Sequence, residues 1–254
     1  MTSKEKKLSA FVVAVATFVS VLGAALLGLF SRTRQPSEQS LRDDTSIVVR
    51  LVANLFVVMT GLVLGLMLNS AKNTLETNNR NIRTLATEVV LLDRTMRALG
   101  PETEDARQYL LEYVQNALKD ANILQEDPRQ EALLDAIRTR LKAIRTSDEQ
   151  QVELWDDALH LYREVVRWRW NVVDASGGTI PPPLIIMLIL WLAVIFAGFG
   201  FGAPRNTIVT ASLFLGAVLI SAALYLIVDM DTPSTGTIAV SNAPFQRALA
   251  QLQR

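Results

Sequence analysis

No cysteine occurs among the 254 residues. Its absence excludes disulfides, zinc ribbons, thiol nucleophiles and iron–sulfur ligation. The single histidine, His160, cannot build an HExxH zinc site or any multi-histidine metal centre. Flanked by Leu159 and Leu161, it reads either as a pH switch or, more plainly, as a solvated or hydrogen-bonded side chain. Neither sign of charge is in excess, with 25 Lys+Arg against 25 Asp+Glu. A nucleic-acid partner is therefore not expected. No P-loop, Ser-His-Asp set or Gly-x-Ser-x-Gly elbow is present, so an enzyme is not expected either. Gly198-Phe199-Gly200-Phe201-Gly202 is no dinucleotide loop, because it ends an apolar run and follows no strand. Sustained strand alternation is missing throughout.

What the chain does have is concentrated apolarity. Half of its residues are hydrophobic. The windows Leu8–Phe30, Ile47–Leu68, Leu184–Ala203 and Asn206–Val228 contain one charged residue between them, Arg50. A helix of about 20 apolar residues crosses the hydrocarbon core of a bilayer. The expected fold is an all-α membrane protein: four transmembrane helices with a helical extramembrane domain inserted between spans 2 and 3. The domains read as a first hairpin over 8–68, a helical part over 69–183, a second hairpin over 184–228, and an acidic Pro/Gly turn with an amphipathic tail over 229–254. Lys4, Lys6 and Lys7 imitate a signal-peptide n-region. The apolar run after them exceeds the ~7–15 residues of a signal core, and no small-x-small site follows, so it reads as a retained span.

The middle of the chain reads as helices. Ile82, Leu85, Ala86, Val89, Leu92 and Met96 recur at steps of three and four. This helix continues from span 2, since neither Pro nor Gly intervenes between Leu66 and Leu99. Gly100-Pro101 ends it, because proline removes a donor and disfavours helix at the residue before it. A second helix starts near Glu102 and buries Tyr109, Leu110, Tyr113, Val114, Ala117 and Leu118. Asp127-Pro128 opens a third, with Leu133, Leu134, Ile137, Leu141 and Ile144 inward. Thr146-Ser147-Asp148 caps a fourth, from about Glu149 to Val173. Ser176-Gly177-Gly178 and Pro181-Pro182-Pro183 then lead into span 3.

Charge assigns the sides. Lys4, Lys6, Lys7, Lys72, Arg80, Arg83, Arg163, Arg167, Arg169 and Arg247 would share one side. Arg32, Arg34, Arg42, Arg50 and Arg205 would share the other. The positive-inside rule puts the termini and the helical domain in the cytoplasm.

Span 2 carries the most chemistry. Arg50, Asn54, Val57, Gly61, Gly65, Leu68, Asn69 and Lys72 form one stripe of small and polar residues with a cation at each end. As a pore lining, such a stripe would be wide at its glycines and would favour an anion. As a packing seam, Gly61-xxx-Gly65 would bring two helices together, with Asn54 bonding across. Arg50 near the span end can also snorkel to the headgroups. The opposite face is expected to be Leu51, Leu55, Val58, Leu62 and Leu66, which suits lipid or core. Trp168 and Trp170, alternating with Arg167 and Arg169, read as an interfacial belt or as an aromatic cage for a cation. Asp229 and Asp231, before Thr232-Pro233, are a metal candidate, since Ca²⁺ takes oxygen ligands. An exposed helix end is the plainer reading there.

Several words, in order, resemble a bacterial family of unknown function termed bestrophin-like. They are Gly65-Leu66-Met67-Leu68-Asn69-Ser70-Ala71-Lys72, Leu92-Asp93-Arg94, Gly100-Pro101-Glu102, Pro204-Arg205-Asn206, Asp229-Met230-Asp231-Thr232-Pro233 and Ser241-Asn242-Ala243-Pro244. The resemblance covers about residues 45–252. It implies a distant relation to bestrophins, which are pentameric chloride channels with a second membrane helix lining the neck and most other helices cytoplasmic. Animal members have a calcium clasp in the acidic stretch after the last span. Here the neck would carry Gly61 and Gly65 where bestrophins have bulky apolar residues. The acidic stretch runs on as Ser234-Thr235-Gly236-Thr237 without further carboxylates, so calcium gating is not carried over.

The leading expectation is a homo-oligomeric, anion-conducting channel of a bacterial inner membrane, pentameric by resemblance, with the bilayer and inorganic anions as partners. No cofactor is expected apart from the Ca²⁺ candidate at Asp229 and Asp231. The alternative is a non-conducting membrane scaffold or sensor whose helical domain binds a partner.

Overall fold

The computed structural model describes residues 3–31, 41–119, 127–145, 148–232 and 240–254, with backbone only for 3–9, 41–50 and 119. Every regular element among them is helical. The α-helices are α1 (Ser3–Ser31), α2 (Leu41–Leu99), α3 (Glu104–Lys119), α4 (Pro128–Ala143), α5 (Glu149–Ala175), α6 (Pro182–Gly202), α7 (Thr207–Asp231) and α8 (Ala243–Leu252). Four of them contain segments long and apolar enough to cross a membrane: Ala10–Ser31, Leu51–Leu99, Pro182–Gly202 and Thr207–Asp231. Three of them match their apolar windows to within a few residues, and Leu51–Leu99 overlaps the window Ile47–Leu68 and runs on to the end of α2. Helix α2 begins at Leu41, six residues ahead of its window, because helix starts follow local backbone preference rather than hydropathy.

The chain divides into two compact units, Met1–Asn73 with Thr179–Thr237, and Thr74–Gly178 with Ile238–Arg254. The first unit holds α1, the beginning of α2, α6 and α7. Its core gathers Val21 and Ala25, Met67 and Ala71, Leu188, Leu192, Ile195 and Phe196, and Ala217, Leu224 and Ile227. The closest approach is between α1 and α6. A Cβ added to Gly28 would run into the Ala197 carbonyl oxygen and lie 2.9 Å from the Phe201 nitrogen. One added to Gly200 would run into the Ala25 carbonyl oxygen. Glycines allow backbones this near, which is how membrane helices gain dispersion contacts without a hydrophobic drive. Hydroxyls inside the bundle satisfy themselves locally. Thr17 donates to the Val13 carbonyl at 2.7 Å, Thr60 to Phe56 at 2.7 Å and Ser221 to Ala217 at 2.7 Å. Such i−4 bonds suit a solvent without donors or acceptors.

Both ends of this bundle are tied by polar side chains. At one end Arg205 reaches the Leu29 and Phe30 carbonyls at 3.5 and 3.4 Å and covers the Phe30 ring at 5.3 Å. A cation there meets the negative end of the α1 dipole. At the other, the Asp231 carboxylate accepts from the Thr179 and Ile180 amides. It thereby holds the segment that enters α6 against the end of α7.

The second unit follows the helical periodicity closely. Ile82, Leu85, Val89, Leu92 and Met96 of α2 are fully buried with Leu110, Tyr113, Val114 and Ala117 of α3 and Ile137 and Leu141 of α4. Tyr109, Leu118, Leu133 and Ile144 are half-buried against the same core. Burial pushes the Tyr113 phenol up to about 12, against a smaller opposing pull from Arg169. Gly100 breaks α2 from the next turn with φ 100, a conformation favourable only to glycine. Thr103 locks the break by donating to the Met96 and Gly100 carbonyls at 2.6 and 2.8 Å. Asp127 caps α4, accepting from the Arg129 amide at 3.0 Å. Asp148 occupies the cap position of α5 but makes no capping hydrogen bond. Thr146 and Ser147 of that predicted cap lie outside the described residues.

Candidate functional site

The span-2 stripe lies on α2. Position 54 being taken as reference and each residue turning about 100°, Val57, Gly61, Gly65, Leu68, Asn69 and Lys72 all fall within roughly 60° of Asn54. All seven are exposed. A Cβ on Gly61 or Gly65 would meet nothing within 4 Å. Within the chain the Gly61–Gly65 spacing is therefore not a packing seam; that role falls to Gly28 and Gly200. Arg50 belongs to α2, and its side chain lies outside the described residues.

The leucine row is not opposite the stripe but about 80° round from it. Leu51, Leu55, Val58, Leu62 and Leu66 are 60 to 70% exposed, so they are no part of this chain's own core. The face that packs is a third one, formed by Thr60, Met67 and Ala71, with Val63 and Leu64 at its margin. Phe56 meets Trp191 of α6 edge to face, centroids 5.3 Å apart. Alternation into three faces cannot be read from a helix that is apolar nearly all round.

Asp229 and Asp231 are both buried, which excludes the exposed-end reading. Asp231 accepts the Thr179 amide on both oxygens, at 2.9 and 3.1 Å, and the Ile180 amide at 3.1 Å. Two N–H dipoles aimed at the carboxylate present their positive ends where a cation would sit. Among the described residues no group of three or more His, Cys, Asp or Glu side chains assembles. The two carboxylates alone supply fewer oxygens than the six to eight that Ca²⁺ takes.

The aromatic and histidine candidates resolve into packing and surface. Arg167 sits over Trp168 at 5.6 Å, so this chain's own guanidinium takes that ring. Trp168 packs on the second unit's core while Trp170 is 51% exposed. Two residues apart on a helix, they point in different directions and form no cage. Trp155 donates to the Leu141 carbonyl at 2.7 Å. His160 is exposed. It neighbours Glu88, whose carboxyl is raised by burial and by Glu164, and lowered in part by His160 and Arg167.

One buried polar cluster was not among the site candidates read from the sequence. Asp93, 4% exposed, accepts from Arg97 Nε at 2.7 Å and from Arg107 Nε at 2.9 Å. Arg107 also pairs with Glu104 at 2.8 Å, and Arg97 donates to the Leu252 carbonyl at 2.8 Å. Burial lowers the Arg107 pKa, and its bonds to Asp93 and Glu104 outweigh that, so it is raised overall. The cluster binds α2, α3 and α8 together. The i, i+4 pair Asp93–Arg97 was visible in the sequence; the partner fourteen residues on was not.

Four spanning helices and a helical second unit define an α-helical membrane protein. A family model described as the bestrophin-like domain matches residues 17–245. The chain belongs to the bestrophin-like family. Its fold is similar to that of a point variant of a bacterial bestrophin homolog from Klebsiella pneumoniae. The two share 11% identity at a TM-score of 0.63, covering 94% of this chain and 97% of the other. No curated protein matches the sequence.

Proposed function

We propose that the protein is a homo-oligomeric ion channel that conducts anions, with α2 lining the pore. The observation that carries this reading is the vacant face of α2. Asn54 is a polar group within the apolar part of the helix and Asn69 and Lys72 follow at its end, and they are exposed together with Gly61 and Gly65. Polar side chains within spans face a bundle interior or water rather than lipid. The chain's own helices leave that face open, so a lumen built with further copies is its best environment. Cations at the stripe ends and amide dipoles along it favour an anion. Family membership and the bestrophin fold agree with this architecture. The second unit is the extramembrane part, inserted between spans 2 and 3 except for α8, which follows span 4. By the basic-residue count it lies with both termini in the cytoplasm of a cell whose inner membrane holds the spans. A pentamer is the assembly that the resemblance implies.

The test is anion efflux from loaded vesicles. Wild type is expected to release chloride, Gly61→Leu to cut the flux with the oligomer intact, and Arg50→Glu to change anion preference. Leu62→Ala, on the lipid row, serves as the control. Vesicles that leak no more than empty ones, across pH and calcium, would remove the channel reading in favour of the non-conducting scaffold. A Gly61→Leu chain that falls apart instead would make the stripe a seam between copies.

A further inference from the structure

Helix α2 has a second open face, within the unit Thr74–Gly178 with Ile238–Arg254. Arg83 and Arg94 are eleven residues apart, so they point the same way, roughly 16 Å from each other along the axis. Val90 and Leu91 lie between them, Leu91 being 39% exposed. With Arg247 and Ala248 of α8 they line an open groove of about 710 Å³. Its floor is apolar and its rim carries three guanidinium groups. None of the ion pairs among the described residues involves Arg83, Arg94 or Arg247.

The first half of α5 carries the opposite pattern. Glu149, Val152, Glu153 and Asp156 recur at steps of three and four and share one face. All four are exposed, Val152 at 40%. None of the three acids enters an ion pair among the described residues either. One surface is therefore basic around an apolar centre, and the other acidic around an apolar centre. The chain cannot join them itself. Asn81 of α2 donates to the Asn171 carbonyl of α5 at 3.3 Å, and Glu88 senses Glu164. Asn81 and Glu88 stand about 140–160° round α2 from Arg83. Helix α5 is thus held on a flank of α2 away from the groove.

We infer that this groove seats the acidic α5 face of a second copy of the chain, in a head-to-tail contact. Two unlike, complementary patches on one subunit are what a heterologous interface needs to close into a ring. The charges set register and reject like-charged pairings, and the Leu91–Val152 contact excludes water at the centre. The inference rests on the homo-oligomer reading above and adds to it which surfaces meet.

A chain without cysteine makes the test direct. The full-length double variant Leu91→Cys, Val152→Cys, purified in detergent and mildly oxidised, is expected to give a reducible ladder of covalent oligomers. Each single variant is expected to stay monomeric on the same denaturing gel. Reversing Arg83 and Arg94 to Glu, or Glu149, Glu153 and Asp156 to Lys, should each cut the ladder at least tenfold. Both reversals in one chain should restore it. An oligomer by mass that gives no ladder overturns the inference and leaves the channel reading standing. A wild-type monomer by mass overturns both. A ladder from Leu91→Cys alone means a like-to-like contact and overturns the head-to-tail arrangement. Binding to anionic vesicles that the Arg83/Arg94 reversal abolishes, with no ladder, would assign the groove to lipid headgroups instead.

Discussion

Asp231 grips the Thr179 amide with both carboxylate oxygens, at 2.9 and 3.1 Å, across the gap between the end of α7 and the entry to α6. An acidic residue after the last span thus acts as an anchor for backbone. Asp231→Ala is expected to cost about 2 kcal/mol, within the range for hydrogen bonds to a charged group. The readout is a lower melting temperature in detergent. Asp231→Asn, which keeps one carbonyl acceptor, should lose less. Chelator should leave the wild-type melting temperature unchanged; a chelator-dependent drop would make this a metal site after all.

Glycines in the first unit divide into two kinds. Gly28→Ala and Gly200→Ala each drive a methyl into a facing carbonyl of the α1–α6 contact. Over-packing of that kind costs about 1–3 kcal/mol. Gly61→Ala and Gly65→Ala meet open space and should leave the melting temperature of dissociated subunits nearly unchanged. Equal losses at all four positions would mean that α2 packs in the single chain.

Asp93 is the shared partner of Arg97 and Arg107. Its removal leaves Arg107 half-buried with the exposed Glu104 as its remaining carboxylate. Breaking a buried pair from one side costs about 3–5 kcal/mol, and the partial exposure of both arginines places Asp93→Ala near the lower end, about 3 kcal/mol. Chemical denaturation followed by helical circular dichroism would register the loss. A change under about 0.5 kcal/mol, the size of an ordinary surface substitution, would show the cluster to be incidental.

Glu88 supplies a pH dependence. Burial and the Glu164 carboxylate raise it above the ordinary 4.5, so the folded chain holds this proton more tightly than the unfolded one. Its contribution is most favourable below pH 4.5 and is lost as the pH climbs through the raised value. Glu88→Gln should therefore raise thermal stability slightly at pH 7 and leave it unchanged near pH 4. A loss of stability at pH 7 would instead mean that Glu88 is held chiefly by His160 and Arg167.

Patterns of a single helix were legible in the sequence. The four spans, the break at Gly100-Pro101, the helix start at Asp127-Pro128 and the buried rows of α2, α3 and α4 all depend on residues within a few turns of one another. Relations between helices were not. Gly61-xxx-Gly65 looks more like a packing motif than Gly28 and Gly200 do, yet only the latter pair faces another backbone. Spacing describes a surface, and which helix lies against it is a tertiary fact. Asp231 shows the same limit. Nothing in Asp229-Met230-Asp231 points to amides fifty residues earlier, so a carboxylate pair read as a metal candidate. The polar stripe of α2 was visible as a pattern, whereas its vacancy became visible only once Thr60, Met67 and Ala71 were seen to supply the packed face.

The Arg205 cap on α1 has a consequence in time. The carbonyl of Phe30 waits for a guanidinium that lies 175 residues further along the chain. At about 5–20 residues per second of synthesis, that wait is on the order of ten to thirty-five seconds. Its partner at Gly28, the α6 backbone around Ala197, arrives scarcely sooner. Throughout this interval the last turn of the nascent α1 lacks its guanidinium, and the surface around Gly28 lacks the backbone that later packs on it. The α6–α7 hairpin is the piece whose arrival completes the bundle.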